Sequence, residues 1–166
     1  MSRLWLVRHA EAADEESGLT PAGRQQAALL GARLAGAGIT RISHSPLVRA
    51  VETARIVGEH LPGVPVEEAL ELDDLVPPDG AAAMVARFAD PPADELIITH
   101  NFQVAWFVRE VLGAPPDRWR ALNSCNTGLT VIRWAPGRPT VPLVFNDMTH
   151  LPPELRWTGF PAELSL

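Results

Sequence analysis

The sequence predicts an α/β fold, a three-layer sandwich with helices on both faces of a mainly parallel sheet. Three observations point there. Leu4-Trp5-Leu6-Val7 and Leu96-Ile97-Ile98-Thr99 are compact apolar runs, too short for helices and closed by polar residues, as strands covered on both faces are. Segments with apolar residues at helical spacing follow each of them. Thr20-Pro21 and Ser45-Pro46 each set a capping residue before a proline, which is a helix-start signal.

Taken in order, the first strand ends in Arg8-His9-Ala10-Glu11 and opens into a polar loop, Ala12 to Leu19, that contains Asp14-Glu15-Glu16. A helix follows from Thr20-Pro21 with Ala27, Leu30 and Leu34 on one face, and Gly36 and Gly38 end it. Ile39 to Ser43 alternates apolar and polar residues and reads as a second strand. Ser45 then caps a helix whose broad apolar face runs through Leu47, Ala50, Val51, Ala54, Val57 and Leu61. Pro62-Gly63 breaks the chain before a third strand, Val64 to Leu70, and an acidic loop carries Glu71, Asp73, Asp74 and Asp79. A short helix from Ala81 to Ala89, marked by Met84, Val85 and Phe88, stops at Pro91-Pro92. The fourth strand ends at His100, and Phe102 to Leu112 is apolar enough for a helix covered on most sides. Leu129 to Trp134 and Val141 to Phe145 read as strands separated by Pro136-Gly137 and Pro139. The tail, Leu151 to Leu166, carries Trp157 and Phe160 among prolines and is expected to pack on the domain without regular structure.

The 166 residues, 46% of them hydrophobic, suit one domain spanning 1–166. No run approaches the roughly 18 apolar residues of a membrane span, and the start lacks the apolar stretch of a signal peptide. A cytoplasmic protein without a membrane partner is therefore expected. The net charge of −6 argues against a surface that attracts nucleic acid as a whole. The single cysteine, Cys125, makes neither an internal disulfide nor a cysteine-rich metal site. All 14 Lys+Arg residues are arginines, side chains that fork onto phosphate or carboxylate.

In open α/β sheets, ligands bind beyond the carboxyl ends of the strands. Arg8-His9, Ser45-Pro46 with Arg49, and His100-Asn101 all fall at such ends or one turn past them, so three distant segments converge. Two arginines, two histidines and exposed helix N-termini make a positive, donor-rich pocket suited to a phosphoryl group. A neutral His9 can attack phosphorus, dividing hydrolysis into two easier steps through a phosphohistidine. Arg8, Arg49 and His100 would hold the non-bridging oxygens, and the nearby cations lower the pKa of His9. No metal and no cofactor are required. The leaving alkoxide needs an acid, for which Glu71, Asp73 and Asp74 are candidates; Glu71 stands first because it directly follows the predicted strand. Asn101 and His44 lie on the substrate side, with a strand-end filler role equally open to His44.

Leu6-Val7-Arg8-His9-Ala10-Glu11, Leu19-Thr20-Pro21-Ala22-Gly23, Ser45-Pro46-Leu47-Val48-Arg49-Ala50-Val51-Glu52-Thr53-Ala54 and Ile98-Thr99-His100-Asn101 together resemble the histidine phosphatase superfamily, the phosphoglycerate-mutase-like proteins. The resemblance covers Leu4 to about Leu112. It implies a phosphorylated nucleophile at His9, a phosphate pocket of Arg8, Arg49 and His100, an acid at Glu71 and an α/β sandwich. Three departures stand out. Alanine follows His9 where glycine is usual. No asparagine occurs between Ala12 and Gly18. Glu71-Leu72-Asp73-Asp74-Leu75 replaces the usual run of glutamate, glycine, tryptophan and glutamate.

Only nine residues separate Glu71 from the next predicted helix, so the insertions that cover a mutase pocket are absent there. A lid protects a phosphoenzyme from water, and little lid favours hydrolysis over transfer. The expected activity is a metal-independent phosphatase acting on a phosphomonoester, either a small phosphorylated metabolite or a phosphoprotein. The alternatives are a phosphoglycerate-mutase-type transferase and a non-catalytic phosphate-binding or interaction domain.

Overall fold

The computed structural model describes residues 1–14 and 16–165; Glu15 of the polar loop and Leu166 of the tail lie outside the described residues. Six strands and four α-helices alternate as β1 (Ser2–Arg8), α1 (Pro21–Leu34), β2 (Arg41–His44), α2 (Val48–Glu59), β3 (Val66–Glu68), α3 (Ala81–Phe88), β4 (Glu95–Thr99), α4 (Asn101–Val111), β5 (Leu129–Trp134) and β6 (Val141–Asp147). The sheet order is β3-β2-β4-β1-β5-β6. β1, β2, β3 and β4 run parallel, while β5 and β6 add antiparallel pairs on the other side of β1. The expected α/β sandwich with a mainly parallel sheet is the observed architecture.

Alternation along the strands sorts side chains into two cores. Val7, Ile42, Leu96 and Ile98 face α1 and α2 and pack with Leu30, Leu34, Ala54 and Val57. Leu4, Leu6 and Ile97 face the other way, onto Met84, Phe88, Val104 and Phe107 of α3 and α4. β1 and β4 are thus covered on both faces, and their carboxyl ends open at one edge of the sandwich. Among the described residues, no helix is long and apolar enough to cross a membrane.

The structure departs from the sequence reading at three places that bear on function. β3 is shorter than Val64 to Leu70, because Leu70–Leu72 turns as a 3-10 helix. In a strand Leu70 and Leu72 would share a face; the turn leaves Leu70 70% exposed and buries Leu72 completely in the α3–α4 core. α2 starts at Val48 with Leu47 at the cap position and no side-chain cap bond, so Ser45 is not its N-cap. The tail is more ordered than expected, with 3-10 turns at Pro153–Leu155 and Ala162–Leu164.

Candidate active site

The backbone around His9 is fixed from both sides. His9 N donates to Thr99 O at 2.9 Å, continuing the β1–β4 ladder past the strand end, and Thr127 N donates to Arg8 O at 3.0 Å. Asn126 Nδ2 donates to His9 O at 2.9 Å, and Ala10 N donates to Thr53 Oγ1 at 3.0 Å. The loop beyond is held by α1. Thr20 Oγ1 accepts from Gly23 N at 3.0 Å as a helix cap and donates to Glu11 Oε1 at 2.7 Å. A Cβ at Gly23 would lie 2.0 Å from Glu11 O, so only glycine permits this approach.

The His9 ring has a defined tautomer. Nδ1 lies 2.8 Å from Ala10 O, and Arg49 Nε lies 3.1 Å from Nε2. A carbonyl only accepts and a guanidinium only donates, which assigns the proton to Nδ1 and the lone pair to Nε2. His9 is 8% exposed. Burial, reinforced by the charges of Arg8 and Arg49, lowers its pKa to about 3 and keeps the imidazole neutral at ordinary pH.

His100 faces it, with ring centroids 5.2 Å apart. Its Nε2 lies 2.8 Å from Ser45 Oγ, which also accepts from Leu47 N at 3.3 Å. The other ring nitrogen, Nδ1, is buried without a hydrogen-bond partner. Burial first, then His9 and the two arginines, lowers the His100 pKa to about 2.

Arg8 is aimed by two carbonyls: Nη1 donates to Ser124 O at 2.8 Å and to Gly159 O at 2.6 Å. Burial pulls its guanidinium below the ordinary value, while Asp74 and Cys125 work the other way. Its buried Nε has no hydrogen-bond partner. Arg49, 7% exposed, donates through Nη2 to Asp74 Oδ2 at 2.8 Å. That same oxygen stands 3.6 Å from His100 Nδ1, and the Asp74 side chain is 34% exposed. Burial raises the Asp74 pKa above the usual carboxylate value, against the pull of Arg49 and Arg8.

Arg8, His9, Asp74, His100, Asn101 and Phe102 line an open cleft of about 210 Å³ that the tail closes with Gly159 and Pro161. The convergence of Arg8, His9, Arg49, His100 and Asn101 expected from sequence is therefore present. Asn101 accepts from Ser124 N at 2.7 Å through Oδ1 and donates to Asn123 Oδ1 at 3.2 Å, which ties α4 to the segment holding Arg8. Two expected residues stand elsewhere. Glu71, on the 3-10 turn, lines a separate small cavity with Asp79, Met84 and Gln103. The reason is the early end of β3: the turn that buries Leu72 carries Glu71 off the strand direction and brings Asp74 to the cleft. His44 donates through Nδ1 to Ser45 O at 2.9 Å and is not among the residues lining the His9 cleft.

Sequence reasoning missed Ser45 as the partner of His100, Thr53 and Asn126 as backbone anchors, and the tail as a wall. Ser45-Pro46 did mark the position, but as a cap. No group of three or more His, Cys, Asp or Glu among the described residues is placed to hold a metal ion. The arrangement sets a neutral imidazole nitrogen beside two arginines and a second histidine, a donor-rich site of the kind that suits a phosphoryl group.

Comparison with known proteins bears on the family and the fold. A model of the histidine phosphatase superfamily (branch 1) matches residues 4–76 and 81–147. The human serine/threonine-protein phosphatase PGAM5, mitochondrial, is 29% identical over 185 residues, covering 91% of this chain and 64% of its own. Its Caenorhabditis elegans counterpart is 30% identical over 182 residues, covering 90% and 64%. The chain thus spans just under two thirds of the length of these relatives. Among solved structures, YhfR of Bacillus stearothermophilus superposes with a TM-score of 0.75 at 21% identity, covering 90% of this chain and 99% of its own. A phosphoserine phosphatase of Entamoeba histolytica bound to phosphoserine gives 0.73 at 18% identity, covering 91% and 100%. At these identities the structural likeness is one of fold.

Proposed function

The chain belongs to the histidine phosphatase superfamily, and from that premise we propose that it hydrolyses a phosphomonoester without a metal, through a phosphohistidine on His9. The observation that carries this reading is the His9 tautomer: Nδ1 engaged with Ala10 O, Nε2 turned to Arg49, and a pKa of about 3.

In the first step Nε2 attacks phosphorus in line, the Nε2–P bond forming as the ester P–O bond breaks. Nδ1–H remains on the Ala10 carbonyl, which stabilises the positive charge that the ring acquires. Arg8, Arg49 and His100 hold the non-bridging oxygens. Asp74 takes the role first expected of Glu71 and donates its proton to the leaving oxygen. Its raised pKa suits it to hold that proton, and its place in the His9 cleft puts it within reach. In the second step water gives its proton to Asp74 and attacks phosphorus, releasing inorganic phosphate and neutral His9. Asp74 is partly exposed at the rim, so water reaches the phosphoenzyme, which favours hydrolysis over return of the group to an acceptor. A small phosphorylated metabolite and a phosphoprotein both fit an open cleft.

The test is a phosphate-release screen over a broad phosphomonoester panel with His9→Ala as control. The reading expects turnover by the wild type and its loss, by at least about three orders of magnitude, in the variant. A folded His9→Ala protein with undiminished turnover would exclude His9 as nucleophile.

A further inference from the structure

Asp74 stands on a segment whose own backbone bonds are local. Asp74 N donates to Asp73 Oδ1 at 2.8 Å, Leu75 N donates to Asp73 O at 2.9 Å, and the neighbouring Leu75 and Val76 side chains are exposed. A loop held in this way opens readily unless the body of the domain grips it. Two buried side chains supply that grip. Thr99 Oγ1 donates to Leu72 O at 2.9 Å, and Gln103 Nε2 donates to Leu75 O at 2.8 Å. Thr99 is the last residue of β4, and Gln103 lies in the first turn of α4. The carbonyls they hold stand two residues before Asp74 and one after it, so the two bonds bracket the acid.

Thr99 also serves the nucleophile. Its carbonyl accepts from His9 N, so one residue fixes the backbone of His9 and, through its hydroxyl, the approach to Asp74. The spacing of nucleophile and acid is thereby set through β4. Gln103 shows its role in another way. Its Oε1 is buried without a hydrogen-bond partner. An apolar side chain of similar shape would escape the cost of that orphaned acceptor, so burial alone does not account for an amide at this position, and the bond to Leu75 O does.

We propose, resting on the phosphatase reading above with Asp74 as its acid, that Thr99 and Gln103 are positioning residues for proton donation to the leaving oxygen. They hold the segment from Leu72 to Leu75 so that the Asp74 carboxyl stays in the His9 cleft, against Arg49. Neither residue lines that cleft, so their side chains act through Asp74. Proton transfer in the transition state needs the donor within hydrogen-bond reach, and a displacement on the order of 1 Å forfeits much of the gain. Loss of either bond lets the loop move. That slows esters whose leaving oxygen must be protonated and spares those whose leaving group departs as a stable anion.

The experiment compares phenyl and nitrophenyl phosphates, which resemble each other in shape and differ in how far the leaving oxygen needs a proton. Both are assayed with the wild type, Gln103→Met, Thr99→Val and Thr99→Ser, each alone and combined with Asp74→Asn. Gln103→Met and Thr99→Val should lower kcat/KM on phenyl phosphate about tenfold and on nitrophenyl phosphate by less than about twofold. Thr99→Ser keeps the hydroxyl and should restore most of the phenyl phosphate activity lost in Thr99→Val. With Asp74→Asn present, neither loss should appear again, because the group being positioned is gone. Equal losses on the two esters, or losses that add in full to that of Asp74→Asn, overturn the proposal and leave the phosphatase reading standing. If Thr99→Val does not fold, Gln103→Met gives the same decision by itself. An Asp74→Asn protein that slows both esters alike removes the acid role, and this proposal with it. No turnover of either ester, together with no phosphohistidine, removes the phosphatase reading as well.

Discussion

The chemistry of this site is set by two residues whose surroundings push their pKa values apart. Burial, with Arg8 and Arg49, lowers the His9 pKa to about 3, while burial raises that of Asp74 from its usual value. In the proposed reaction His9 is the nucleophile and Asp74 the acid, and the two opposite shifts suit each to its role. The sign of the pH dependence follows. For an alkyl phosphate, kcat/KM falls as pH rises through the Asp74 pKa, and the acid limb is absent until His9 protonates near pH 3. Steady-state profiles check this. Asp74→Asn should flatten the alkaline fall and cost about 10²–10³-fold on alkyl esters, with little loss on nitrophenyl phosphate, whose leaving group needs no proton. Glu71→Gln, in its separate cavity, should leave the profile unaltered; the alkyl-specific loss appearing there instead would return the acid role to Glu71.

At the scale of elements, the proposed phosphate pocket is completed by chain ends far apart in sequence. The tail lies over α1, where the fully buried Gln26 donates to Leu155 O at 2.9 Å and to Thr158 Oγ1 at 2.7 Å and accepts from Glu11 N at 2.9 Å. Gln26→Leu strands all three partners and should lower unfolding stability by about 2–4 kcal/mol in urea titrations. Gly159 has φ +72°, and a Cβ there would lie 2.5 Å from Asn126 Oδ1 and 2.9 Å from Arg8 Cζ. Gly159→Ala should therefore displace Arg8 and lower kcat/KM about tenfold, with a much smaller loss of stability than Gln26→Leu. These elements also show what a sequence reading reaches. β1, β4 and their polar ends were legible because four or five apolar residues closed by Arg-His or Thr-His have few other uses. The contact of Arg8 with Gly159 was not, since nothing local signals a carbonyl 151 residues away. Glu71 was misplaced for a definite reason: the strand pattern continues past Glu68, but Leu72 is drawn into the core, and that packing turns the chain early. Ser45 was recognised as special, yet its hydroxyl serves His100 and not the helix end.

For the molecule as a whole, the buried histidines tie stability to pH. His9, His100 and His150 have pKa values near 3, 2 and 4, each lowered chiefly by burial. In the unfolded chain all three protonate near 6.5, so the unfolded state binds more protons below that pH. Their contribution is fully present above about pH 7 and is lost as pH falls from 6.5 toward the folded values, by about 2 kcal/mol each for His9 and His100 at pH 5 and by less for the more exposed His150, where solvent screens the effect. Urea unfolding at pH 7.5 and 5 should show this fall, and His100→Asn should make it shallower; a stability that rose on acidification would contradict the burial of neutral imidazoles. The same burial leads to the central claim, that His9 Nε2 becomes covalently phosphorylated. The most direct measurement is rapid quench during turnover, with the linkage identified by acid and base stability and by NMR of the isolated peptide. The account predicts an acid-labile, base-stable phosphoramidate on His9 at Nε2, absent from His9→Ala. A phosphoryl group on Nδ1, on another residue, or on none during active turnover would contradict it.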